Sequence, residues 1–250
     1  MEKVILTPGE INSSEAHTLD SEILNAYKEG INSYEKRAFD VLDIFQDRKG
    51  DLTGSNCFAP LKLREFLPKG TRLATMTDLE RAIKMNPDFL KEFYSDTGLA
   101  LRTAGDSCED NDFLAKDLAK QLEKRKITLD SPKVIYFDAL DLKQDNNSVY
   151  GLAYNLNEKA ALGVNIIDAP ELMNDMKFKT MNEKGIPVMD NKGDRNLYTK
   201  KDGLSRFSLD RGLYMLSFFG YLSDSDDDGS VIVVSGEDTS QKIKQEGEAQ

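Results

Sequence analysis

Between Gly185 and Ser235 the chain is cut by four glycine turns: DNKG ending at Gly193, KKDG at Gly203, LDRG at Gly212 and SDDDG at Gly229. Short runs of β-branched, aromatic and aliphatic residues lie between them, and glycine tolerates the positive φ that tight hairpins demand. Strands this short, separated by turns this regular, predict an antiparallel β-meander. Whatever precedes it has to cover it.

Upstream the period changes from two to about 3.6. Ile23, Leu24, Tyr27, Ile31, Tyr34, Ala38, Val41, Leu42 and Phe45 recur at steps of three and four across Leu19 to Gln46, which is one apolar helical stripe. Asp20 or Ser21 can cap it and Gly50 lies past its end. Gly30 costs about 1 kcal/mol against alanine there, and marks where one helix would divide into two. A stripe this long needs a partner. Packing on the rest of the chain is the plainer reading, and an oligomer or partner contact the sharper one.

Thr77-Asp78-Leu79-Glu80 matches a capping box and predicts a helix start. Asn86-Pro87 ends that helix, and a second short one is expected from Pro87 to Tyr94. Leu99 to Arg102 then reads as a strand. Phe113, Leu114, Leu118 and Leu122 form a helical stripe closed by Lys124-Arg125-Lys126, where cations complement the helix dipole, and Val134 to Phe137 reads as a buried strand. That order predicts one βαβ-like unit, with a right-handed crossover if its strands are parallel. A further strand is expected at Val149 to Asn155 after a turn at Asn146-Asn147, and a short one at residues 3–7, whereas 157–184 carries mixed signals.

The expected fold class is therefore α+β, with an N-terminal helical region, the βαβ-like unit and the C-terminal meander, its helices on one face of the sheet. We divide the chain into a polar N-terminal segment, 1–18, a single domain, 19–235, and a tail, 236–250. The domain comprises a helical lobe, 19–96, and a mixed lobe, 97–235. The tail has too little to bury and is expected to be disordered.

Composition removes several function classes. A net charge of -11 argues against nucleic acid or an anionic membrane as partner, since phosphates must be met with lysine and arginine. No apolar run is long enough to cross a bilayer and MEKVILTPGE lacks the apolar core of a signal peptide, so the expected compartment is the cytoplasm. Two cysteines, Cys57 and Cys108, make neither a disulfide scaffold nor a zinc site, and the single histidine, His17, excludes mechanisms built on a histidine pair. The phosphate-loop, nucleophile-elbow and zinc-protease motifs are missing from the sequence.

Three constellations remain. Asp224, Asp226 and Asp228 alternate, Gly229 stands at the bend, Ser230 can offer its carbonyl, and Val231 supplies an apolar anchor. Hard cations take several oxygens at once. In those positions the segment resembles the calcium loop of EF-hand proteins, which implies calcium held by Asp224, Asp226, Asp228 and Ser230. It departs where the twelfth residue should be a bidentate glutamate, since Ser235 stands there and the flank is strand-like. The plainer reading is an aspartate-rich hairpin loop.

Asp138, at the end of the Val134 run, with Asp141 after it, resembles the strand-terminal acid of haloacid-dehalogenase-like phosphatases, though the second aspartate stands at the wrong offset. Lys192, Arg195, Lys200, Lys201, Arg206 and Arg211 are interleaved with Asp190, Asp194, Asp202 and Asp210, which predicts a solvated, mixed-charge sheet rim. The expectation is a non-enzymatic binding or structural-interaction protein, meeting a protein partner or itself through the 19–46 helix, with a weak calcium site in the last hairpin turn. The alternative is a divalent-metal-dependent phosphoryl-transfer enzyme using Asp138 and Asp141.

Overall fold

A computed structural model describes residues 5–6, 21–48 and 51–235. His17, Asp20, Gly50, most of the polar 1–18 segment and the 236–250 tail lie outside them. The first half runs β1 (Ile5–Leu6), α1 (Ser21–Ile31), α2 (Lys36–Leu42), β2 (Gln46–Arg48), β3 (Asp51–Thr53), α3 (Ala59–Leu63), β4 (Thr71–Leu73) and α4 (Met76–Met85). The middle consists of β5 (Ser95–Leu101), α5 (Glu109–Lys124), β6 (Lys133–Tyr136), β7 (Leu140–Gln144), β8 (Leu152–Leu156) and β9 (Ile166–Asp168). The last part supplies β10 (Met176–Met181), β11 (Pro187–Met189), β12 (Arg195–Thr199), β13 (Leu204–Leu209), β14 (Met215–Ser217) and β15 (Val233–Ser235).

The 19–46 stripe folds as two helices, parted just after Gly30, and Tyr27, Ile31, Ala38, Leu42 and Phe45 along it are all buried in the chain's own core. Helix α4 starts earlier than the capping box at Thr77 implied. Thr75 is the cap: its side chain accepts from the Asp78 N–H, and the Asp78 carboxylate accepts from the Thr75 N–H at 2.8 Å. Glu80 is freed from capping and is buried instead against Arg195. The helix expected from Pro87 to Tyr94 does not form. The Asn86 side chain accepts the Asp88 N–H, a local turn that competes with helix, and residues 87–92 continue as turns and bends.

The main sheet has eight strands in the order β11-β10-β12-β14-β13-β5-β6-β9, antiparallel at every junction except β12–β14, and it curls into a half-barrel. Two expectations fail here. Strands β5 and β6 are antiparallel, with Leu101 opposite Lys133, so the strand–helix–strand order is not a βαβ crossover: α5 carries the chain out and a return segment brings it back to the same end of the sheet. The C-terminal third is also not a simple meander. Strand β14 lies between β12 and β13, and β15 leaves to form a small sheet between β1 and β4. Strands β7 and β8 do form the hairpin expected around Asn146-Asn147.

Helices cover both faces of the sheet rather than one. Every residue of β5 and β13 is buried, the pattern of strands closed on two sides. Leu99, Leu101, Ile135 and Leu204 pack with α1, α2, α3, α5 and β8. Ala100, Val134, Phe207 and Leu209 pack with α4, Ile232 and Val234 on the other face.

Candidate functional site

Alternation along β13 puts Arg206 on the same face as Leu204. Its partner reaches that face through a bulge. Phe207 stands opposite Gly98 and Ser208 opposite Asp96, so Thr97 is an extra residue on β5 that turns Asp96 towards Arg206. The guanidinium grips the Asp96 carboxylate at both oxygens, Nε at 2.9 Å from Oδ1 and Nη2 on Oδ2. It also donates to the carbonyls of Asp224 at 2.9 Å and Ser55 at 3.2 Å, and lies 5.1 Å from the centre of the Tyr94 ring. Burial works against the charge of Arg206. The Asp96 carboxylate more than offsets this and holds the guanidinium pKa well above its usual value.

The acidic turn is stitched onto this pair. The Tyr94 N–H donates to the Asp228 carbonyl and the Tyr94 carbonyl accepts from the Ser230 N–H, both at 2.9 Å. The Tyr94 hydroxyl donates to the Ser55 carbonyl and accepts from the Asp226 N–H. Of the four turn glycines only Gly203 takes a positive φ. Gly229 is needed for another reason: a Cβ there would lie 2.7 Å from the Ser55 nitrogen and 2.8 Å from the Tyr94 hydroxyl. The turn is thus a crossing segment between β14 and β15, pressed against Gly54, Ser55 and Tyr94, and not the tip of a hairpin.

Above the pair lies a hollow of about 280 Å³. Tyr94, Arg206 and Leu216 line it, Asp210, Asp224, Asp226 and Asp228 surround it, and Arg211, Phe219 and Tyr221 complete the wall. Arg211 is matched by Asp228 at 3.0 Å. Among the described residues no group of three or more His, Cys, Asp or Glu side chains is placed to hold a metal ion. The calcium expectation therefore meets a different arrangement: Asp224 turns its carbonyl to Arg206, Asp228 gives its carboxylate to Arg211, and Ser230 is buried with its N–H on Tyr94.

Beside the hollow the surface is aromatic. Phe218, Phe219 and Tyr221 are 38, 40 and 63% exposed. The Phe218 and Phe219 rings are 4.1 Å apart, and Tyr198 meets Phe218 and Tyr214 edge to face. Sequence reading missed this ridge, although its trace was there: SFFGY places two aromatic residues side by side, and a strand can bury only one of two neighbours on a given face.

The other sequence candidates are dispersed. Asp138 sits in a single 3-10 turn, Phe137–Ala139, that bends the chain from β6 into β7, while the exposed Asp141 is held by Arg64 at 2.7 Å. The basic set is not a solvated rim. Arg195 is buried against Glu80 at 2.7 Å with its guanidinium over Phe178, Lys200 reaches the fully buried Asp106 carboxylate at 2.7 Å, and Arg206 is the core pair described above. Lys192, Lys201 and Arg211 remain exposed.

A seventh cation, Arg102, is buried on the opposite face of the sheet, donating to the Leu172 carbonyl and to the hydroxyls of Thr199, Ser205 and Ser217. Burial brings its pKa down to about 10, so it stays charged at neutral pH. Both cysteines are free thiols. Cys57 is fully enclosed, and burial pushes its thiol well up, away from nucleophilic use.

No protein-family model, curated protein or solved structure matches the chain.

Proposed function

We propose that the chain is a non-enzymatic binding protein, and that the hollow with its aromatic ridge takes a basic segment of a protein partner. The observation that carries this reading is the charge balance of the hollow. Four aspartates surround it; Asp228 is matched with Arg211, and Arg206 is matched from beneath by Asp96, which leaves Asp210, Asp224 and Asp226 as the excess charge. A lysine or arginine arriving there would meet carboxylates and, at Tyr94, Phe219 and Tyr221, the faces and edges of aromatic rings, which attract cations and dominate protein interfaces. Its size suits one anchoring side chain rather than a substrate with a catalytic apparatus around it.

The 19–46 stripe is the poorer docking face, because Tyr27, Ile31, Ala38, Leu42 and Phe45 are buried against the chain's own core. The phosphoryl-transfer alternative draws no support from Asp141, which is exposed and paired with Arg64.

The test is fluorescence anisotropy with a labelled peptide of alternating lysine and phenylalanine, against its glutamate counterpart. Only the lysine peptide is expected to bind, more weakly as salt rises, with a loss of roughly tenfold or more in Tyr221→Ala and in Asp226→Lys. Equal binding of the two peptides, or unaltered binding by both variants, overturns the reading.

A further inference from the structure

Helix α5 ends in a reversal with an unusual residue at its pivot. The Lys126 N–H donates to the Glu123 carbonyl at 2.8 Å and the Ile127 N–H to the Leu122 carbonyl at 3.0 Å, the bond pair of a Schellman stop. The left-handed position of that motif is Lys126 itself, at φ 60. Glycine is the usual occupant, because any L side chain there crowds the backbone. The reversal is forced by the sheet: β6 pairs antiparallel to β5, so the chain leaving α5 has to come back to the end of the sheet where β5 stops.

The return segment leaves a groove of about 410 Å³. Its apolar lining comes from Ala104, Ala119, Ile127 and Leu129, and Lys116, Lys120 and Lys126 stand around it. Glu123 is the one acidic residue among those lining it. Lys116 is engaged by Asp112 within the helix, whereas Lys120 and Lys126 have no ion-pair partner among the described residues. In a chain of net charge -11, three ammonium groups gather at one apolar hollow.

We propose that this groove binds a small anionic amphiphile, a medium-chain carboxylate whose apolar body lies along Ala119, Ile127 and Leu129 and whose head sits between Lys120 and Lys126. Three observations converge. The volume lies within the range of small-ligand sites, roughly 300–1,000 Å³. The charge around the groove is complementary to a carboxylate and opposite to that of the whole chain, and lysine presents it as a compact point charge. Lys126 holds a left-handed backbone position where glycine would relieve crowding, and non-glycine residues in this conformation gather at ligand sites. The groove lies on α5 and owes nothing to the hollow beside Tyr221, so the two proposals stand or fall separately.

The experiment is isothermal titration of the full chain with decanoate below its micellar range, beside decanol and acetate. Decanoate is expected to bind, with decanol and acetate each roughly tenfold weaker or more, since each lacks one half of the recognised chemistry. Lys126→Gly is expected to raise the thermal midpoint of the fold and yet weaken decanoate several-fold, and Lys120→Ala to weaken it without moving the midpoint. Lys177→Ala, the same loss of charge on an exposed strand position, leaves affinity unchanged. Equal binding of decanol and decanoate, wild-type affinity in both Lys120→Ala and Lys126→Gly, or binding of an acidic amphipathic peptide without decanoate would each overturn the proposal.

Discussion

The hollow beside Tyr221 and the groove along α5 both set charge next to apolar surface, but they are founded differently. The hollow rests on the Asp96–Arg206 pair, taken wholly inside the protein and bonded further to Ser55 and Asp224. Its shape is therefore part of the core. The lysines of the groove stand on the solvent side of a helix and its stop, and two of them hold nothing in place. Paired buried charge builds a wall; unpaired exposed charge is available to a ligand. Substitutions at the two places should accordingly separate stability from binding.

The largest effect is expected at Asp96. Asp96→Asn leaves the Arg206 guanidinium buried without its counter-charge, and should cost about 3–5 kcal/mol in urea unfolding. A loss below about 1 kcal/mol would mean that the hollow has no ionic foundation and that the contrast is false. Next comes Tyr221→Ala, which should weaken the lysine–phenylalanine peptide by about 2 kcal/mol while leaving stability within about 0.5 kcal/mol.

Lys126→Gly should stabilise the fold by about 1 kcal/mol, because the left-handed backbone no longer crowds a Cβ. Smallest is Lys120→Ala, expected within about 0.5 kcal/mol of wild type in thermal unfolding, since the side chain is exposed and unpaired. If Lys120→Ala proved as damaging as Asp96→Asn, the groove would be structural after all.

Local chemistry was legible in the sequence and adjacency was not. The stripes of α1, α2 and α5, the strands β5 and β6 and the β7–β8 hairpin follow from periodicity and turn residues. The crossover reading failed because strand, helix and strand in order say nothing about which end of the sheet the chain returns to, and that is set by the antiparallel pairing of β5 with β6, for which no local pattern stands. The meander failed for a related reason. The turns at Gly203 and Gly212 do reverse the chain, but β11 and β12 run the same way on either side of β10, β14 inserts between its two predecessors, and β15 pairs elsewhere.

The capping box shifted by two residues because Thr75 and Thr77 offer the same hydroxyl, and only burial of Glu80 against Arg195 distinguishes them. The aspartates of the turn were visible as a cluster. What lies beneath them was not: the tyrosine that holds the turn comes 132 residues earlier, and no local pattern joins the two.

That distance has a consequence in time. The sheet closes at its centre where β5 meets β13, and Arg102, at the end of the first strand, bonds to Ser205 in the second, 103 residues on. During synthesis β5 can pair with β6 early, but its other edge, on a strand buried on both faces in the finished fold, waits until the C-terminal third has been made. Closing so long a loop slows folding, and an unpaired edge in the interval is a template for association between chains. A nascent chain halted before Leu204 should therefore depend on chaperones in a way the finished protein does not.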